Sequence, residues 1–167
     1  MNFISQMVHS FAKKYAAETM QKSLYNSLRI DITQENIAKI PNPDKKYMLY
    51  MHVPFCHTFC PYCSFHKYAY ERGACKAYFS ALRVEMQRTK DAGYDFETLY
   101  VGGGTTLIDE DELARTLELA KSLFSIKEVS CESDPNHLEP ESLLRFRGLI
   151  DRLSVGVQSF DDDILRK

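Results

Sequence analysis

The feature that most limits the folds open to this chain is an alternation. Four short apolar runs, residues 47–53, 98–101, 126–131 and 152–157, are separated by stretches of helical period. Residues 73–91 read as a helix with Tyr78, Leu82 and Met86 on one face. Asp109 opens a second helix, with Glu112 completing a capping box and Leu113, Leu117 and Ala120 along the apolar stripe. Pro140 suits the first turn of a third, which carries Leu143 and Leu144. Ser159 and Asp162 predict the cap of a fourth. Short strands and helices in strict alternation, joined by short connections, predict a parallel sheet of right-handed βαβ units, an α/β fold. Ahead of it, the Pro41-Asn42-Pro43-Asp44 break divides the chain into an N-terminal helical segment with linker, 1–43, and four βα units, 44–167. In the first segment Ile4, Met7, Val8, Phe11 and Tyr15 recur at helical spacing, and Met20, Leu24 and Leu28 continue the pattern. Such a stripe suits a helix packed on its own domain; a membrane surface or a partner helix is the alternative.

The unusual polar residues fall where those strands end. A cysteine-rich loop follows the first strand, Gly102-Gly103-Gly104-Thr105 follows the second, Glu132 ends the third and Gln158 ends the fourth. Parallel α/β sheets bind ligands at the carboxyl ends of their strands. Four features far apart in sequence are therefore expected at one edge. The glycine run predicts backbone that approaches a ligand closely and donates N–H groups. It is not a P-loop, since no Gly-Lys-Ser/Thr follows.

Cys56, Cys60 and Cys63, spaced C-x3-C-x2-C, are dense enough to wrap one small object. Thiolates so placed bind a soft metal or form disulfides. A structural zinc site or an ordinary 4Fe–4S site takes four ligands, so three leave an open position. Cys75 and Cys131 read as small buried hydrophobes. Five cysteines without a signal peptide suggest a reducing, cytoplasmic setting. The formal net charge of −2 argues against a nucleic-acid surface, and no apolar run reaches a membrane span.

Tyr50-Met51-His52-Val53-Pro54-Phe55-Cys56, with Cys60-Pro61-Tyr62-Cys63 after it, resembles the cluster loop of the radical S-adenosylmethionine (SAM) superfamily. Within it, the likeness is to the branch of oxygen-independent coproporphyrinogen III oxidase and its haem-handling relatives. Gly-Val-Gln-Ser-Phe at 156–160 is similar to a signature of that branch. The resemblance covers about residues 47–167. It implies the N-terminal part of a partial (β/α)6 TIM-like barrel, with Cys56, Cys60 and Cys63 on a 4Fe–4S cluster whose fourth iron is chelated by SAM. It further implies Gly103, Gly104 and Thr105 at the methionine end of SAM, Glu132 and Gln158 at its ribose, and Tyr50, Tyr62 and Phe65 beside it. Thr106 stands where the branch usually has proline, which predicts a less rigid turn.

The implied chemistry is reductive cleavage of SAM to a 5′-deoxyadenosyl radical, which takes a hydrogen atom from a tetrapyrrole. A flavodoxin or ferredoxin would be the electron donor. The decarboxylating oxidase resembles C-x3-C-x2-C-x-C, whereas Phe65 stands at the last position here; phenylalanine is more typical of haem-chaperone-like and anaerobic haem-degrading members. A radical enzyme on a tetrapyrrole, a haem-binding chaperone on the same scaffold, and a zinc or redox module all remain open on the residues. Four strands do not close a barrel of about eight. The chain thus reads as part of a longer protein, with residues 152–157 an open edge and Phe160, Ile164 and Leu165 short of packing partners.

Overall fold

The computed structural model describes Tyr15, Glu18, Thr19, residues 41 and 42, and residues 44–166. Tyr15, Glu18 and Thr19 are helical; the rest of the N-terminal helix expected from the apolar stripe lies outside the described residues. The elements that follow are β1 (Met48–Val53), β2 (Phe55–Cys56), β3 (Tyr68–Ala69), α1 (Arg72–Asp91), β4 (Thr98–Gly103), α2 (Glu110–Leu123) and β5 (Glu128–Ser133). A 3-10 turn (Pro135–His137), α3 (Pro140–Arg145), β6 (Arg152–Val155) and α4 (Asp162–Leu165) complete them.

The strands β1, β4, β5 and β6 form one sheet in that order, parallel throughout, as the alternation predicts. Side chains alternate across a strand, so the register sorts the sheet into two faces. Met51, Val101, Cys131 and Leu153 align in one row. This row joins Cys75, Phe79 and Met86 of α1 and Leu113, Leu117 and Ala120 of α2 in a single core. The neighbouring row, Tyr50, Tyr100, Ser130 and Arg152, faces the opposite way. That face is polar, and it is the face on which the site forms.

Three of the helices, α1, α2 and α4, start on a capping carboxylate. Glu71 accepts from the N–H groups of Gly73 and Ala74 at 2.9 and 2.6 Å and caps α1. Asp109 accepts from Glu112 N at 3.2 Å and caps α2. The expected reciprocal bond from Glu112 is not made. Its carboxylate is buried instead, 2.8 Å from Arg83 and 3.3 Å from Arg115. Arg83 also donates to Thr116 Oγ1, so the pair fastens α1 to α2. A carboxylate taken out of water needs such partners more than a helix end needs a second cap. At the last helix the cap is Asp161, which accepts from Asp163 and Ile164; Ser159 Oγ accepts from Asp161 N one step earlier.

All four strands of the sheet differ from expectation in at least one limit, β1 only by starting at Met48. β4 runs on to Gly103, because Gly102 and Gly103 keep pairing with His52 and Val53. β5 starts and ends two residues later than 126–131: Lys127 N is committed to Glu97 O in the connection, and Glu132 and Ser133 still pair with Ser154 and Val155. β6 stops at Val155: Gly156 N still bonds to Ser133 O, but Val157 N turns back to Val155 O. Glu132 therefore lies within its strand, and Gln158 lies three residues past the end of its own. At the β6 end of the sheet Phe160, Ile164 and Leu165 are exposed.

Candidate functional site

The cysteine segment is held at both ends by a two-stranded parallel sheet, with Phe55 opposite Tyr68 and Cys56 opposite Ala69. Tyr68 N bonds to Pro54 O and Tyr70 N to Cys56 O, closing residues 57–67 into a loop. Within the loop Cys63 N bonds to Cys60 O at 3.1 Å, and Lys67 Nζ reaches Cys63 O at 2.6 Å. Lys67 also lies over the Phe59 ring. All three thiols are free: Cys60 is exposed, Cys56 and Cys63 half-buried. The N–H of Phe65 and then the Lys67 ammonium pull the Cys63 thiol below its ordinary pKa. The Cys60 sulfur, hydrogen-bonded to the Tyr62 phenol, pushes that phenol up. Cys75 and Cys131 are buried, as expected, and burial raises each to about 11.

The glycine run does not offer its N–H groups outward. Gly104 N donates to Val53 O at 2.7 Å and Thr105 N to Phe55 O at 2.8 Å, so these donors stitch the turn to the start of the cysteine segment. Gly103 N leans on Glu132 Oε2 at 3.4 Å. The fit is too close for side chains. A Cβ on Gly104 would sit 2.6 Å from Phe55 O and 2.8 Å from Cys56 Sγ. Gly103, at φ +126°, would meet Val53 O at 2.7 Å. Thr106 is buried, its hydroxyl donating to Glu132 O and accepting from Cys131 Sγ. A hydrogen bond thus anchors the turn at the position where the branch usually has proline.

Glu132 projects onto the polar face, where Tyr100 donates to Oε1 at 2.7 Å. Tyr50 stacks on Tyr100 at 6.2 Å between centroids and shares a hydrogen bond of 3.0 Å with His52 Nδ1. His52 Nε2 lies 3.3 Å from His66 O. A carbonyl only accepts, so Nε2 carries the proton and Nδ1 of the neutral ring accepts from Tyr50. Burial and then the charge of Glu132 raise the Tyr50 phenol. His57 and His66 pack on Tyr70 and Tyr68.

Tyr62 and Phe65 are exposed on the loop. Gln158 is also exposed, its amide folded over Gly156, and Gly156 is bonded to Ser133 beside Glu132. At φ 67° it is the one non-glycine among the described residues in the left-handed region. Strain of that kind collects at binding sites. The structure thus brings together the cysteine segment, the glycine turn, Glu132 and Tyr50, with the Gln158 segment joined to the end of β5. Tyr100 was missed, and Thr106 was noted only as a departure from proline. The period-two row that pairs Tyr100 with Tyr50 was the signal for the first, and nothing in the sequence marked the hydrogen bond that the second makes.

Among the described residues no three His, Cys, Asp or Glu side chains are gathered to hold a single metal ion. A 4Fe–4S cluster asks for something else, one soft thiolate on each of several irons. Three free thiols on one tethered loop, Cys63 already biased toward thiolate, and bare backbone at Gly104 against Cys56 Sγ fit that group.

Comparison with known proteins gives the family. The radical SAM superfamily matches residues 50–167. Heme chaperone HemW from Bacillus subtilis is 36% identical over 127 residues, 71% of this chain and 33% of that protein. Oxygen-independent coproporphyrinogen III oxidase from Escherichia coli is 33% identical over 133 residues, 74% of this chain and 29% of that protein. Among solved structures, coproporphyrinogen III oxidase (HemN) from Escherichia coli, described as a radical SAM enzyme, aligns with a TM-score of 0.64 and 30% identity. That alignment covers 73% of this chain and 30% of the other. The chain spans about a third of the length of the curated relatives it matches. Its parallel sheet matches the corresponding part of the HemN fold, consistent with a partial TIM-like barrel. On its sequence and its fold alike, the chain belongs to the radical SAM superfamily.

Proposed function

We propose that this chain holds a 4Fe–4S cluster on Cys56, Cys60 and Cys63, binds SAM beside it, and serves radical chemistry on a tetrapyrrole of the coproporphyrinogen III oxidase kind. The observation that carries this reading is one turn with two neighbours. Cys56 Sγ abuts Gly104 on one side, and the Glu132 carboxylate meets Gly103 N on the other. When bound, the reduced cluster and SAM supply a carbon radical able to take a substrate hydrogen atom.

The residues divide the remaining work. The three cysteines supply thiolates, which the Phe65 N–H and Lys67 favour at Cys63. The α-amino group of SAM would be a hydrogen-bond donor only, and the N–H groups of Gly104 and Thr105 are spent on β1 and β2. The turn therefore serves it through carbonyl oxygens and through its closeness to Cys56. Glu132 accepts from the ribose hydroxyls, and Gln158 supplies an amide next to it. Tyr50, its O–H donated to His52 Nδ1, offers oxygen lone pairs on the same face. Tyr62 and Phe65 cover the adenine and exclude water. An electron-carrier protein of the flavodoxin or ferredoxin class would supply the electron. No helix among the described residues is long and apolar enough to cross a membrane, and a cytoplasmic setting suits these thiols.

A second reading, haem carriage without turnover, draws on Phe65 in place of a fourth cysteine and on the likeness to a heme chaperone. Anaerobic reconstitution followed by assays for 5′-deoxyadenosine and for haem binding separates the two. Release of 5′-deoxyadenosine supports the first. Stoichiometric haem binding with no SAM cleavage supports the second. Zinc retention with no iron–sulfur absorption overturns both.

A further inference from the structure

We propose that Tyr100 is a positioning residue whose hydroxyl holds the Glu132 carboxylate in the orientation that receives the two vicinal hydroxyls of the SAM ribose. This rests on the SAM reading above and adds to it a residue that neither the cysteine loop nor the glycine turn pointed to.

A glutamate side chain has three rotatable bonds, and on an open sheet face it samples many rotamers that a ligand must freeze. Here both halves of Glu132 are fixed in advance. Its main chain is anchored by the Thr106 hydroxyl on Glu132 O. Its carboxylate is anchored by Tyr100, 2.7 Å from Oε1, while Gly103 N leans on Oε2 at 3.4 Å. A carboxylate has about four acceptor sites. One donor on each oxygen leaves one further site on each, the pattern that a vicinal diol with two O–H donors fills. Tyr100 is itself braced by the stacked Tyr50 ring, its partner in the parallel register. Gly102 completes the arrangement. A Cβ there would lie 2.9 Å from Glu132 Oε2 and 3.2 Å from Tyr50 Oη, so only glycine lets carboxylate and phenol meet over the strand. The bond to Glu132 also raises the Tyr100 phenol, which keeps it a donor.

The test measures SAM binding to the anaerobically reconstituted chain by equilibrium dialysis for the parent, Tyr100→Phe, Glu132→Ala and the double variant. Methionine, which lacks the ribose, is the control ligand. Tyr100 is half-buried on the face away from the helices, so losing one oxygen leaves the core untouched. Tyr100→Phe is expected to weaken SAM about tenfold, the scale of a hydrogen bond to a charged group. Methionine binding should not change, and the double variant should be no weaker than Glu132→Ala alone. Parent-like SAM affinity in Tyr100→Phe with a weakened Glu132→Ala overturns this proposal and leaves the ribose reading standing. Additive losses in the double variant also overturn it, since Tyr100 would then act apart from Glu132. Parent-like affinity in Glu132→Ala overturns the ribose reading itself.

Discussion

Placing a methyl group on Gly104 is the sharpest perturbation of the junction between thiol loop and glycine turn. In Gly104→Ala the new Cβ meets Phe55 O at 2.6 Å, Cys56 Sγ at 2.8 Å and Phe55 C at 3.1 Å. Two of these three atoms are backbone, pinned by the pairing of Phe55 with Tyr68 and by the 2.8 Å bond from Thr105 N. The turn must therefore retreat, stretching that bond and the 2.7 Å bond from Gly104 N to Val53 O. Overpacking of this kind costs about 1–3 kcal/mol, and each weakened hydrogen bond up to about 0.5–1.5 kcal/mol. Retreat relieves the clash as it strains the bonds, so the two contributions overlap and the loss is about 2–4 kcal/mol. At about 4 °C per kcal/mol for a domain of this size, the midpoint should fall by about 8–16 °C. Gly148→Ala is the control. Its Cβ meets nothing within 4 Å, but φ is +82°, so only backbone strain of about 1–2 kcal/mol applies. Thermal unfolding by circular dichroism and iron content after reconstitution read both variants. Gly104→Ala should lose stability and iron; Gly148→Ala should lose a little stability and no iron. A Gly104→Ala chain that melts within about 2 °C of the parent and keeps its iron refutes the reasoning.

Three further outcomes follow from the same structure. At pH 8 iodoacetamide should label Cys56, Cys60 and Cys63 of the folded, metal-free chain and spare Cys75 and Cys131, buried and raised to about 11; mass-spectrometric detection of labelled Cys131 before denaturation contradicts the burial argument. Gln158→Gly should raise stability by about 0.5–1 kcal/mol, relief of left-handed strain less the added chain entropy, while weakening SAM several-fold; a lower denaturation midpoint speaks against the strain. The N–H groups of Gly73 and then Ala74 hold the Glu71 carboxyl below its ordinary value. Its folded pKa is depressed, so its contribution is present above the unfolded value and lost as pH falls through the folded one; the advantage of the parent over Glu71→Ala in denaturant should shrink below about pH 4, and an advantage that grows on acidification reverses the sign.

The sheet was legible because its core follows a simple rule. Met51, Leu99, Val101, Val129 and Cys131 alternate with polar neighbours, and α1 and α2 carry unbroken apolar stripes. The strand ends were less so. Gly102 and Gly103 look like a turn by composition yet extend β4, because parallel pairing with β1 satisfies their backbone regardless of side chain. Ile126 looks like a strand residue, but the ladder begins at Glu128. The β2–β3 pair has two residues per strand, too few for any period to show. At the site, residue types announced the cysteines and Glu132, whereas contacts decided the rest. That Gly104 and Thr105 donate inward, that Tyr100 holds Glu132, and that Glu112 abandons its cap for Arg83 are all choices among partners brought close by folding.

The central claim, that the three-cysteine loop and the glycine turn hold a cluster with SAM against it, is tested most directly by electron paramagnetic resonance of the reduced, reconstituted chain with and without SAM. The account predicts a 4Fe–4S signal whose shape changes when SAM is added, with no such signal in Cys60→Ala. A signal indifferent to SAM, or one that persists in Cys60→Ala, would contradict it.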